Sequence, residues 1–391
     1  MTPFPGSPDK TRDSLLPKLA LKPWIPGKAA RLVLRDAYIV DPAKGALLNG
    51  RFDVTMDDGV IVELQPTAER DTSTWVRIDP EDPPTIDVSV SGKFLCPGLI
   101  DCHVHVTAVP GVNTMAELVQ TPEELVHLRT TYVLREMLMR GFTTVRDTGG
   151  ASKALATAIS EGLIVLKAVR EELKGGADFI KVMCGGGVAS PTDAIETVQF
   201  TAEELCAITT TCKQMGGKHT TAHAYTDASV LHAIENGVRG IEHGNLISRE
   251  TAKLMAERGI FLTPTLACYG IMVRLPFEDF LPPEGKVKNK QVMARGLDAL
   301  KIADEAGVTI CYSVLSSVKV LRHATTNAAL MLGDPRLGSL SVGSCADILV
   351  LDANPLEDVT VLDYPEKHLF AVIQGGRVVS SRLDGLPSEH I

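Results

Sequence analysis

The 391-residue sequence predicts an α/β fold: a (β/α)8-type barrel, incomplete at strand three, joined to a composite β domain formed by both chain ends. Three observations predict it. Short apolar runs alternate with helical stretches from residue 97 to about 332, the pattern of a parallel sheet with helices outside. That span is close to the ~250 residues of a typical barrel. Before and after it the chain reads as short strands broken by turn residues, with no long helical pattern.

Residues 1–30, rich in Pro and Lys, read as a poorly ordered segment. The composite domain is expected over 31–95 plus 333–391. "RLVLRDAYIVD", "RFDVTMDDGVIVELQP" and "TIDVSVSGKFL" alternate apolar and polar residues on the N-terminal side, and "ADILVLDA" and "LFAVIQGGRVVSSR" do so on the other. The barrel is expected over 96–332. Its strands read as "LIDCHVHV" (99–106), "TTVRDT" (143–148), "DFIKVM" (178–183), "TTAHAY" (220–225), "GIEHGN" (240–245), "IFLTPTLAC" (260–268) and "VTICYS" (308–313), each followed by a helical stretch.

Composition excludes several classes of function. The net charge is −9 and basic residues are scattered among acids, so nucleic acid is not an expected partner. No run of 18 uninterrupted apolar residues occurs and the N-terminus lacks an apolar signal-type core, so no membrane association is expected and the location is read as cytoplasmic. Eight cysteines, none in a Cys-x-x-Cys pair, read as free thiols of a reducing compartment.

Chemistry in a parallel barrel gathers at the C-terminal ends of its strands. Residues two apart on a strand face one way, so His103 and His105 point together, as does Asp101. Alone, the pair is compatible with two half-buried, hydrogen-bonded histidines. His223 and His243 stand late in two further strands, where a barrel presents ligands. Lys181 lies mid-strand in "DFIKVM", a costly place for an ammonium unless its charge is paired or removed. An ion pair reaching to a loop is one solution. Reaction with carbon dioxide, which turns the amine into an anionic ligand, is the other.

"PGLIDCHVHV", "GADFIKVMCGGGVASP", "TTAHAYTDASVLHAIENGVRGIEHGNL", "VLRHATTNAALMLG" and "VGSCADILVLDANPLEDV" together resemble the amidohydrolase superfamily, in its prolidase, ochratoxinase and imidazolonepropionase branch. The resemblance implies a divalent metal centre, usually zinc, bridged by a carboxylated lysine. It places His103 and His105 on one metal, His223 and His243 on the other, and Lys181 between them. Histidine and carbamate ligands suit zinc and leave manganese, cobalt and iron open. The implied reaction is hydrolysis of an amide, cyclic amide or dipeptide-like C–N bond in a small molecule. Tyr225 resembles a residue that binds a substrate carboxylate in some dipeptidases; a tyrosine packed in the rim is the alternative. A homo-oligomer is compatible with this reading.

Two departures stand out. The family carries an aspartate after strand eight that binds metal and shuttles the proton, but "GVTICYSVLSSVKVLRHA" holds no acid, so no catalytic acid/base is identified. Only 29 residues separate Thr148 from Asp178, where two helices, a strand and their loops need about 35–40, and only "LIVL" reads as a strand there. Two internal losses from a complete scaffold account for both gaps. The competing readings are a non-catalytic relative that binds metal or a carboxylate, and a mononuclear deaminase. The latter has no use for Lys181, and its acid would have to be Asp227. Loss of a barrel strand exposes two edges and part of the core, so low stability is expected. A circular-dichroism melt of the purified chain should show its transition below ~65 °C, and a sharp transition above that temperature would contradict the expectation.

Overall fold

The computed structural model describes residues 29–67, 85–108, 117, 120–151, 177–190, 192–311 and 316–388. Strands β1 (Arg31–Asp41), β2 (Ala46–Leu47), β3 (Phe52–Asp57), β4 (Val60–Pro66), β5 (Thr85–Ser89) and β6 (Phe94–Pro97) come from the N-terminal side. β14 (Ile348–Leu351), β15 (Leu369–Gln374) and β16 (Arg377–Ser381) come from the other end, and the nine share one sheet in the order β16-β15-β14-β6-β1-β3-β4, with β2 and β5 also paired to β1. The seam is β6 against β14, antiparallel from Pro97 opposite Ile348 to Phe94 opposite Leu351. β1 is long enough to serve several partners because Asp36, at φ 66, breaks its register with β3 between Leu34 and Ala37. Leu32, Leu34, Val54, Ile61, Leu95, Ile348, Val350 and Ile373 are fully buried in its core.

Gly98 alone separates β6 from β7 (Leu99–Val104), the first barrel strand. A Cβ there would stand 2.1 Å from Thr143 Oγ1, so only glycine lets the two strands run on so closely against the next one. β7 pairs in parallel with β8 (Phe142–Asp147), with helix α1 (Glu123–Met139) between them in the chain. The other five barrel strands form a parallel sheet: β9 (Phe179–Met183), β10 (His219–Thr226), β11 (Gly240–Leu246), β12 (Phe261–Thr263) and β13 (Thr309–Ile310). Helices α2 (Ala202–Gln214), α3 (Asp227–Glu235), α4 (Arg249–Glu257), α5 (Leu266–Ile271) and α6 (Pro283–Ala306) connect them. Among the described residues the two parallel sheets are not hydrogen-bonded to each other. Cys102 of β7 and Cys311 after β13 nevertheless share one apolar cluster with Ala328, Ala329 and Met331.

Local chemistry sets the strand-to-helix joints. Thr226, the last residue of β10, is also the N-cap of α3, accepting from the Ser229 amide, so the strand passes into the helix without a loop. Thr201 and Glu204 form a capping box on α2, and Ser248 caps α4. α6 opens with proline at its first position and ends at Gly307 in a left-handed conformation. The strand expected to reach Cys268 stops at Thr263, because Pro264 offers no N–H and Thr265 turns left-handed at φ 40 into α5. After β13, α7 (Ser317–Arg322) and α8 (Ala328–Leu332) are joined by a π-helical turn over His323–Asn327.

The expected strand at 163–166, the N-terminal segment to residue 28 and the end of strand eight at 312–315 lie outside the described residues. Among the described residues no helix is long and apolar enough to cross a membrane, and the eight cysteines are free.

Candidate metal centre

The polar residues of the barrel strands converge on one interior site. On β7, Cys102 and Val104 are buried among apolar neighbours while His103 takes the opposite face. Glu242 of β11, fully buried, accepts from His103 Nδ1 at 2.7 Å through Oε2 and from Arg146 Nη2 of β8 at 2.5 Å through Oε1. Arg146 also donates to the Cys102 carbonyl at 2.6 Å and lies 4.5 Å over the Phe179 ring. One guanidinium thus touches β7, β9 and β11 from β8. Burial would raise the Glu242 carboxyl, yet Arg146 and then His103 outweigh it and hold it far below the ordinary carboxylate range.

The four histidines form a chain of ring contacts: His105 to His103 at 5.2 Å between centroids, His103 to His243 at 4.9 Å, and His243 to His223 at 4.4 Å. His103, His223 and His243 each have one nitrogen engaged, and His105 has both, its Nε2 lying 3.4 Å from Thr148 Oγ1. His105 Nδ1 donates to the Gly149 carbonyl at 2.9 Å, and His223 Nε2 to the Gly186 carbonyl at 3.1 Å. His243 Nδ1 is 2.6 Å from Thr265 Oγ1 and 2.8 Å from the Tyr269 hydroxyl. His243 itself has φ 81, left-handed backbone at a non-glycine residue, and its partner Thr265 shares that strain. Burial lowers the pKa of His103 and His243 and takes His223 down to about 4, helped in the last case by Lys181. Lys181 is pushed down by burial as well. Glu242 opposes that shift and Arg146 adds to it.

The structure therefore brings His103, His105, His223 and His243 together, with Lys181 within electrostatic range of three of them. Tyr225 stacks on His243 at 5.1 Å and stands edge-on to His223 at 4.9 Å. Only 2% of it is exposed and its hydroxyl is bonded to that of Tyr269 at 2.9 Å. Sequence reasoning missed Glu242, Arg146, Thr265 and Tyr269. The first two carry the same signal that singled out Lys181, a charge in the middle of an apolar parallel strand.

The donor set fits a divalent metal by chemistry. Buried imidazoles stay neutral, as ligands must, and carboxylate, carbonyl and hydroxyl partners fix one nitrogen of His103, His223 and His243, leaving the other for an ion. Arg146 Nη1 is a buried donor without a partner, and an anionic Lys181 would exchange its repulsion from Arg146 for attraction. Among the described residues no three His, Cys, Asp or Glu side chains are already grouped to hold an ion.

Residues 94–379 match the amidohydrolase family. The ochratoxinase of Aspergillus niger is 26% identical over 363 aligned positions, covering 73% of this chain and 75% of its own length. The imidazolonepropionase of Streptococcus pyogenes is 25% identical over 381 positions, covering 80% and 85%. A crystal structure of a prolidase complexed with N-methylphosphonate-L-proline superimposes with a TM-score of 0.81 at 31% identity, over 90% of this chain and all of that one.

Two outcomes test the site. Glu242→Gln should cost about 3–5 kcal/mol in denaturant unfolding, because it strands a buried guanidinium, while Arg146→Met with Glu242→Leu should recover most of that loss. Stability should also fall as pH drops from 6.5 towards 4, since the unfolded chain protonates a histidine that His223 in the fold does not, its pKa being about 4; a flat profile there would contradict it. Strand topology, the matched span and these relatives agree, and the chain belongs to the amidohydrolase superfamily, in the branch that includes the prolidases and ochratoxinase.

Proposed function

We propose that this chain is a metal-dependent hydrolase scaffold for C–N bonds of small amides or dipeptide-like substrates, with turnover impaired by the loss of its strand-eight aspartate. The observation that carries the reading is the convergence of four histidines and Lys181 on one buried Glu242–Arg146 pair. His103 and His105 would hold one divalent ion, zinc by ligand type, and His223 and His243 the other. Such ions lower the pKa of bound water and polarise a carbonyl.

The chain's own residues prepare this chemistry. Burial favours the free amine of Lys181, the form that adds carbon dioxide to give an N-carboxylate and release one proton. Glu242 and Thr265 hold the Nδ1 protons of His103 and His243, turning Nε2 towards the interior. The phosphonate-proline complex of the 31%-identical relative supports a carboxylate-bearing amide as substrate. Tyr225 is the proposed carboxylate contact, and reaching it requires exchange of its Tyr269 bond.

The proton shuttle is what the chain lacks. No acid occurs between Cys311 and Ser317. The alignment to ochratoxinase supports an internal loss: 73% of 391 residues is about 285, set against 363 aligned positions, so nearly 80 of those positions are gaps in this chain. That shortfall also favours a second reading, a relative that binds metal or a carboxylate without turnover.

Metal content and hydrolysis of a panel of dipeptides and N-acyl amino acids decide between them. The expected result is bound zinc or manganese with weak turnover, and a rise of about 100-fold or more when a Gly-Thr-Asp segment is inserted after Ser313. Bound metal with no turnover before or after the insertion would establish the binding reading. A chain that takes up neither metal and binds no N-acyl amino acid would overturn both.

A further inference from the structure

The loop after β9 folds back across the His223–Tyr225 face. It leaves the sheet at Cys184, whose amide donates to the His223 carbonyl at 2.9 Å, and returns where Val198 bridges Gly185. The Gly186 carbonyl takes the His223 Nε2 proton. Gly186 has to be glycine, since a Cβ would meet the Ala194 carbonyl oxygen at 1.9 Å. Val188 and Ile195 pack in one apolar cluster with Tyr225, Tyr269, Leu281 and Val292. The backbone of this loop is therefore the wall behind two of the proposed site residues.

That wall is fastened from outside the barrel. Lys288, in the second turn of α6, donates through Nζ to the carbonyls of Ser190 at 2.7 Å, Gly187 at 3.3 Å and Asp193. An ammonium has three protons, and three carbonyls converge to receive them. The same turns of α6 reach the neighbouring wall. Gly285 approaches Val188 so closely that a Cβ would lie 2.9 Å from its carbonyl oxygen, and Asn289 Nδ2 donates to the Tyr269 carbonyl at 3.0 Å. Tyr269 in turn holds His243 Nδ1.

We propose that Lys288 is a positioning residue: its ammonium latches the 186–193 loop onto α6 and so seats the His223–His243 half of the site. The latch is a property of the chain without ligand; only its consequence for zinc rests on the proposed function. A lysine contacting no site residue thereby governs two of them through backbone carbonyls.

Hydrogen exchange of the full-length chain, read on peptides covering 184–199, tests the latch together with zinc titration. In the unsubstituted chain these amides should exchange about 10-fold or more slowly than those of the exposed bend at 49–51, and equal rates would overturn the proposal. Lys288→Met should speed exchange of the loop about 10-fold, leave peptides of the β6–β14 seam unchanged and weaken zinc binding by a similar factor. Lys288→Arg, which keeps the charge and its donors, should restore most of the loop protection. A loop equally protected in Lys288→Met overturns the latch whatever zinc does. A loop that opens in a chain never binding zinc upholds the latch and removes the metal reading.

Discussion

The interior between the two parallel sheets depends on one ion pair. Arg146 comes from one sheet and Glu242 from the other, and neither could stay charged in an apolar interior without its partner. Once paired, they set what surrounds them. Glu242 holds a proton on His103 Nδ1, and the guanidinium braces β7 through the Cys102 carbonyl and β9 through the Phe179 ring. The two parallel sheets, unconnected by strand pairing among the described residues, meet through this side-chain bridge. A contact that orients a ligand is here also a contact between sheets, so structure and chemistry at this point cannot be altered independently.

Much of this was legible in the sequence. Strand-end histidines and a mid-strand lysine are period-two facts, and a parallel barrel converts position along a strand into position in space. His103, His223 and His243 fall on their strands within a residue or two of where alternation put them. The polar partners were harder. Glu242 stands beside His243 and Arg146 inside "TTVRDT", so their charge was visible. What no local pattern shows is that β8 and β11, 96 residues apart in the pairing, meet across the interior. Thr265 was hidden for another reason. Its role depends on a left-handed backbone, and the run "IFLTPTLAC" reads as continuous strand unless Pro264 is allowed to end it.

The site also shows how unequal its two halves are. His223 and His243 are backed by a buried wall of Tyr225, Tyr269 and the loop beneath α6. His105 is exposed just beyond the end of β7 and rests on the Gly149 carbonyl.

The β6–β14 seam carries a consequence for synthesis. Pro97 and Ile348 pair across some 250 positions of chain, and β6 runs through Gly98 straight into the first barrel strand. On a ribosome β6 emerges together with its partner β1 but long before β14 exists, so Leu95 and Cys96 wait for that second neighbour while the intervening strands are made. The N-terminal strands thus have one another as partners from the start, while one side of β6 stays open until the last fifty residues arrive. A chain stopped short of β14 would retain every candidate ligand and still leave β6, which runs straight into β7, paired on one side alone.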